Sequence, residues 1–193
     1  MAAETALPSE SPVMLSRLKV FAAASFALFL GACFLSERQL IGEGVRLQEG
    51  PLAFCMEPDE PCLEAVTQED GYLVMPLPEH ADEEEPIFVR FAPLTRAGGA
   101  DIWLGEAELT EEEDRAWAYV VARRAGKAEN GVTEYKMAIP TCEEASDSQL
   151  IRYGLERNGL YACTVTNIDA FAEYLTERHT ADFADADWWD TAN

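Results

Sequence analysis

The stretch Met14 to Cys33, MLSRLKVFAAASFALFLGAC, bounds what the rest of this chain can build. Arg17 and Lys19 give a short positive flank, Val20 to Leu30 is an apolar run, and two small residues precede a cysteine. These are the three parts of a secretory signal peptide, which is removed and takes no part in folding. The core of the mature protein must then come from downstream residues. A buried core helix fits poorly, because the run is apolar on all sides and burial needs no basic flank. A retained transmembrane helix fits better, since Val20 to Leu35 is nearly all apolar. It falls short of the ~20 residues of a span, however, and carries Ser25, Gly31 and many alanines. The first 13 residues, MAAETALPSESPV, are acidic and proline-containing where a signal peptide wants positive charge, so translation is expected to begin at Met14.

The last four residues of this stretch, Leu30-Gly31-Ala32-Cys33, resemble the lipobox of bacterial lipoproteins. The resemblance is confined to this segment and names no family for the mature domain. It implies cleavage before Cys33 once its sulfur bears a diacylglycerol, and a further acyl chain on the new N-terminus. Two acyl chains already anchor a protein stably, so three would hold it permanently. In that class an Asp after the cysteine can retain a protein at the inner membrane. Phe34 stands there instead, which implies an outer-membrane address facing the periplasm. The alternative is an ordinary cleaved signal or signal anchor without lipid.

The cysteine count bears on the same point. Five cysteines leave one thiol over in an exported protein. If Cys33 is taken by lipid, Cys55, Cys62, Cys142 and Cys163 remain, and four can pair completely. Spacing suggests Cys55 with Cys62 and Cys142 with Cys163, although two other pairings are formally possible. A zinc site is the competing reading, but the separations lack tight C-x2-C knuckles, and no metal site is expected. On the loop-entropy model the two bridges contribute roughly 2.5 and 3.4 kcal/mol. They need an oxidising compartment.

Residues 33–50 then hold the lipidated cysteine and a tether, whose flexible-coil reach is roughly 20 Å. Leu40, Ile41, Val45 and Leu47 are too apolar for a pure linker, so part of it is expected to dock on the domain. A single domain over 51–178 should follow. Its short β-favouring runs are Leu52 to Cys55, Cys62 to Thr67, Tyr72 to Leu77, Pro86 to Pro93 and Ile102 to Leu109. Between Thr110 and Gly126 the pattern is ambiguous. A capping-box start competes with the period-two row Trp117, Tyr119 and Val121. The strand is preferred because Val132 to Ile139 alternates as well, and Asn130-Gly131 is a hairpin signal that needs an upstream partner. Farther on, Ser146 with Gln149 should cap a helix running to about Arg157 and closed by Asn158-Gly159. Leu160 to Val165 reads as a strand. Asn167 should cap a second helix with the stripe Ile168, Phe171, Ala172 and Leu175. The expected fold class is α+β: an antiparallel β meander followed by two C-terminal helices, stapled by disulfides.

No residues are nominated as catalytic and no cofactor is expected. There is no G-x-S-x-G, no H-E-x-x-H and no phosphate-cradling glycine loop. His80 lies in an acidic run from Glu79 to Glu85, a context that suits a pH sensor or a cation site. A solvated loop between strands explains it as well. His179 should follow a helix and meet its terminal carbonyls, which is ordinary capping. Residues 179–193 form an acidic aromatic tail in which Phe183, Trp188 and Trp189 could anchor a partner. Asp185 and Asp187 could ligate calcium but lack the glycine and distal Glu of a calcium loop. The structural alternative is that the aromatics pack back and fasten the terminus.

Charge closes off one class of partner. With 36 acidic and 14 basic side chains in 193 residues the net charge is -22. Phosphate binding needs a clustered basic face, so nucleic acid is excluded. Basic proteins are the partners such a surface steers. The sequence therefore points to a membrane-anchored envelope lipoprotein that binds or supports rather than catalyses. The alternatives are an inhibitor of a cationic envelope or secreted hydrolase, and an uncharacterised enzyme.

Overall fold

A computed structural model describes residues 34–82, 84–111, 114–142, 145–158 and 162–191. The segment expected to be a signal peptide, and Cys33, lie outside these. Most of the described chain is β: β1 (Phe34–Ser36), β2 (Leu52–Cys55), β3 (Leu63–Thr67), β4 (Tyr72–Val74), β5 (Ile87–Ala97), β6 (Ala100–Glu111), β7 (Asp114–Lys127) and β8 (Thr133–Ala138) precede a short helix α1 (Asp147–Arg152). Then come β9 (Leu155–Asn158), β10 (Ala162–Val165), the helix α2 (Ile168–Ala184) and a 3-10 turn over Trp188–Asp190.

Strands β2 to β8 pair in succession round a seven-strand barrel that closes where β8 meets β2: β8 runs parallel to β2, with Leu52 opposite Thr133 and Cys55 opposite Lys136. All other neighbours in the ring are antiparallel. An open meander with two helices laid against it is therefore not the fold. The long hairpin β6–β7 is the backbone of the wall, and β7 is long enough to serve two strands on its far edge. It pairs with β8 over Val121 to Lys127 and with β1 at Trp117 and Ala118. From β1 the sheet continues outward through a parallel β10 to an antiparallel β9.

Period-two alternation in the wall strands divides the apolar residues between two cores. The barrel interior takes Leu52, Phe54, Tyr72, Val74, Val89, Phe91, Ala107, Val120, Ala122, Tyr135 and Met137. Phe54 stacks on Phe91 at 5.4 Å and meets Tyr72 edge-on at 6.0 Å, so the barrel is filled by its own rings. Gly105 on β6 makes this packing possible. A Cβ there would lie 2.5 Å from Val120 Cγ2 and 2.8 Å from Phe91 Cε1. The opposite face of the same strands, with Ile102, Leu104, Tyr119, Val121 and Ala138, forms a second core outside the barrel. It is covered by β1, by α2 through Phe171, Tyr174, Leu175 and Phe183, and by Trp189.

The helices also depart from expectation. Ser146 accepts from Gln149 N–H and Gln149 reaches back to the Ser146 backbone, so the capping box is formed. Yet α1 stops at Arg152, not Arg157. Gly154 takes the left-handed conformation with φ +63°, which a glycine adopts at little cost, and it turns the chain into β9. Asn167 caps α2 through Ala170 N–H. That helix runs on to Ala184, so His179 lies inside it rather than after it. Between β6 and β8 the ambiguous stretch is strand β7, and Asn130-Gly131 lies in the turn that leads into β8.

Candidate functional site

The first region of interest surrounds the point where the chain leaves Cys33. Phe34 is fully buried. Its ring lies 4.7 Å from Phe171 and 5.6 Å from Tyr174, and its backbone stands opposite Cys163 in β10. Cys163 is bridged to Cys142, just past the end of β8, and Cys55 is bridged to Cys62. Both bridges follow the spacing in sequence. Arg157 on β9 donates to the Ala145 carbonyl at 2.6 Å and ties the stretch after Cys142 to the same sheet. The segment expected to act as a tether thus starts as a strand, and its first residues are part of the core.

The same segment is fastened a second time. Glu106, on β6, is 1% exposed, and its carboxylate accepts the Leu40 N–H at 2.7 Å and the Ile41 N–H at 3.2 Å. Tyr119 donates to it at 3.0 Å and also meets Ser36 Oγ at 2.8 Å. Burial raises the Glu106 carboxyl above its ordinary value of 4.5, against the opposing pull of those donors and of Arg90. Burial likewise pushes the Tyr119 phenol upward, so it stays a donor. A buried carboxylate of this kind suggests a catalytic group. Here every contact it makes is to the segment it holds or to the wall, so it serves as a clasp for residues 36–41. Alternation could have put Glu106 on the face of Ile102 and Leu104. Nothing local signals the backbone that reaches it from 65 residues away.

A separate region is the C-terminus. Phe183 and Trp189 are buried, Trp188 is half-buried, and the three rings contact one another at 5.1 to 6.0 Å. Trp189 Nε1 donates to the Phe183 carbonyl at 3.2 Å, and the Arg123 guanidinium lies 5.0 Å above the Trp189 ring. Lys136 on β8 pairs with Asp190. Burial lowers the Arg123 pKa, with Asp190 and Asp185 opposing the shift. The aromatics therefore fasten the terminus, and Phe183 and Trp189 have no free face with which to anchor a partner. Asp185 is spent on the turn, where its carboxylate accepts the Asp187 N–H at 3.0 Å.

The two histidines lie in different parts of the fold. His80 is exposed in the turn between β4 and β5, its N–H bonded to the Leu77 carbonyl. His179 meets Asp182 through Nδ1 at 2.9 Å and lies among the rings of Tyr174, Phe183 and Trp188. Cys55, Cys62 and Glu134 come within 4.8 Å of one another, but the two sulfurs are joined and so offer no thiolate to a metal. A cavity of about 190 Å³ between α1 and α2 is lined by Gln149, Tyr153, Tyr174, Glu177 and Arg178. Tyr153 donates to Glu177 there, and Arg152 also pairs with Glu177. It is a shallow polar cleft below the size of a typical small-molecule site.

Comparison with protein-family models, with curated proteins and with solved structures finds no match to this chain.

Proposed function

We propose that this chain is a lipid-anchored protein of the bacterial envelope, held at the outer membrane facing the periplasm, that works as a binding or structural module and not as a catalyst. The observation that carries the reading is the junction at Cys33. A lipobox-like sequence ends on that cysteine, and the next residue, Phe34, is buried and paired with Cys163 in the strand β1, whose next residue, Leu35, is paired on both sides. A thioether at Cys33 would thus be joined directly to the fold. Two disulfides are compatible with the oxidising compartment that such an address requires. The odd cysteine is the one that lipid would consume.

The filled barrel and the structural use of the buried polar groups support a role without catalysis. The net charge of -22 favours a basic protein as partner, because oppositely charged surfaces steer encounter. It also makes the protein surface a poor ligand for anionic lipid, so attachment depends on the acyl chains.

Metabolic incorporation of an alkyne-tagged palmitate tests the reading. The tag is expected on the wild-type chain and absent from Cys33→Ser, which should also remain in the membrane-pelleting fraction only as unprocessed precursor. An untagged wild-type product that stays in buffer without detergent would overturn it.

A further inference from the structure

The two disulfides differ in their surroundings. Cys142 and Cys163 are fully buried in the core outside the barrel, whereas Cys55 and Cys62 are partly exposed. Cys55 ends β2 and Cys62 immediately precedes β3, so their bridge closes a short turn whose residues Glu57 to Pro61 are exposed. Strand pairing holds the same place without the bridge: β2 pairs with β3 from Leu52–Ala65 to Phe54–Leu63, and with β8 from Leu52–Thr133 to Cys55–Lys136. Phe54 and Tyr135 belong to the barrel interior, so alternation turns Cys55 and Glu134 to the outer face of the wall. There the two Sγ atoms and a Glu134 carboxylate oxygen all lie within 4.8 Å of one another.

We propose that Cys55, Cys62 and Glu134 form a redox-gated site for a thiophilic divalent cation of the zinc class. A dithiol reductant opens the bridge: its own two sulfurs give up two electrons and two protons and join as a disulfide, and Cys55 and Cys62 become thiols. The cation then displaces both thiol protons and is held by two thiolates and the Glu134 carboxylate, with water in the fourth position. Tetrahedral zinc with Zn–S bonds of about 2.3 Å sets its two sulfurs about 3.8 Å apart. The Cys55 and Cys62 Cα atoms, 4.2 Å apart, allow that separation by rotation of the side chains. Sulfur ligands select zinc over magnesium or calcium. Lys136, a cation opposite Cys55, is paired with Asp190, and Glu57, Asp59 and Glu60 in the turn draw cations toward the site. The joined sulfurs offer no thiolate, so oxidation closes it. The site stands whether or not Cys33 carries lipid.

Cadmium reads such a site, because thiolate-to-cadmium charge transfer absorbs in the ultraviolet. The full chain is used with Cys33→Ser, so that only the two bridges supply sulfur. It is treated with a phosphine reductant without denaturant, and mass spectrometry after alkylation locates the thiols. Cys55 and Cys62 are expected to react while Cys142–Cys163 stays joined. One cadmium ion per chain should then bind with the charge-transfer band, yield to zinc, and be unmoved by magnesium or calcium. Glu134→Gln should weaken the affinity by at least the roughly 10–100-fold that loss of an outer-shell partner costs. Glu156→Gln, which removes the same charge from β9, should leave it unchanged. A Cys55–Cys62 bridge that resists reduction, loss of both bridges at once, thiols that give no such band, or equal effects of the two Gln variants would each overturn the proposal.

Discussion

Glu106 is the residue whose chemistry is most at odds with its surroundings. It is an acid in an apolar core, held there because two backbone N–H groups and a phenol need an acceptor. Its pKa is raised above 4.5 by burial. The folded state therefore holds its proton at pH values where the unfolded chain has released it. Stability from this group is full below 4.5 and declines as pH rises through the folded value. Glu106→Gln cannot titrate, and its amide sets two N–H donors among groups that are themselves donors, where the protonated acid has one, so it should cost about 1–3 kcal/mol. Because only the wild type weakens as pH rises, that cost is expected to be greater at pH 4 than at pH 7. Urea unfolding of both proteins with disulfides intact checks it. A cost that grows toward pH 7 would mean that the ionised carboxylate is the better clasp.

At the scale of elements, local signals in the sequence correspond to real features and long-range pairings do not. The alternation of Trp117, Tyr119 and Val121, the Ser146–Gln149 box and the Asn167 cap each act within a few residues, and each marks an element in the structure. The parallel pairing of β2 with β8 joins residues about 80 positions apart, and no local pattern distinguishes it from an antiparallel meander. The end of α1 was legible in principle. Gly154 lies just past the last helical turn, as a C-terminal glycine should, but Asn158-Gly159 offered a second stop farther on. The site was legible in part. Cysteine spacing gives both bridges, whereas β1 hides in a stretch whose glycines and mixed polarity read as linker. The 3-10 turn at the C-terminus buries one ring completely, that of Trp189. Trp189→Ala removes a buried indole, its bond to Phe183 and the surface beneath Arg123, and should cost about 3–5 kcal/mol. Trp188→Ala, at the half-buried neighbour, should cost less. Denaturant midpoints of the two variants give the comparison, and equal losses would show that the pair acts as one unit.

For the whole molecule, charge and closure pull in opposite directions. A closed ring leaves no exposed barrel edges, and β9, at the outer margin of the extension, presents Glu156 and Arg157 along its length. Charged side chains on an edge discourage pairing with another chain. Residues 1–33 contain two acids and two bases, so the entire charge of -22 belongs to the part from Phe34 onward. Among the described residues, seven carboxylates pair with Lys or Arg, fewer than the excess of acids, and like charges on a surface of this size repel across the fold. At 0.01 M salt the screening length is about 30 Å, which spans much of the domain, and at 0.15 M it is about 8 Å. Added salt should therefore relieve repulsion between distant carboxylates while leaving close pairs such as Arg90–Asp70, at 3.1 Å, largely intact. A relief of about 1–2 kcal/mol corresponds to a Tm rise of about 2–8 °C for a chain of this length. Thermal unfolding of the chain from Phe34 onward in sodium chloride and in choline chloride should show the same rise in both salts, because screening depends on ionic strength and not on the cation. A rise confined to one cation would indicate specific binding by the carboxylates, and a fall in Tm would mean that the ion pairs outweigh the repulsion.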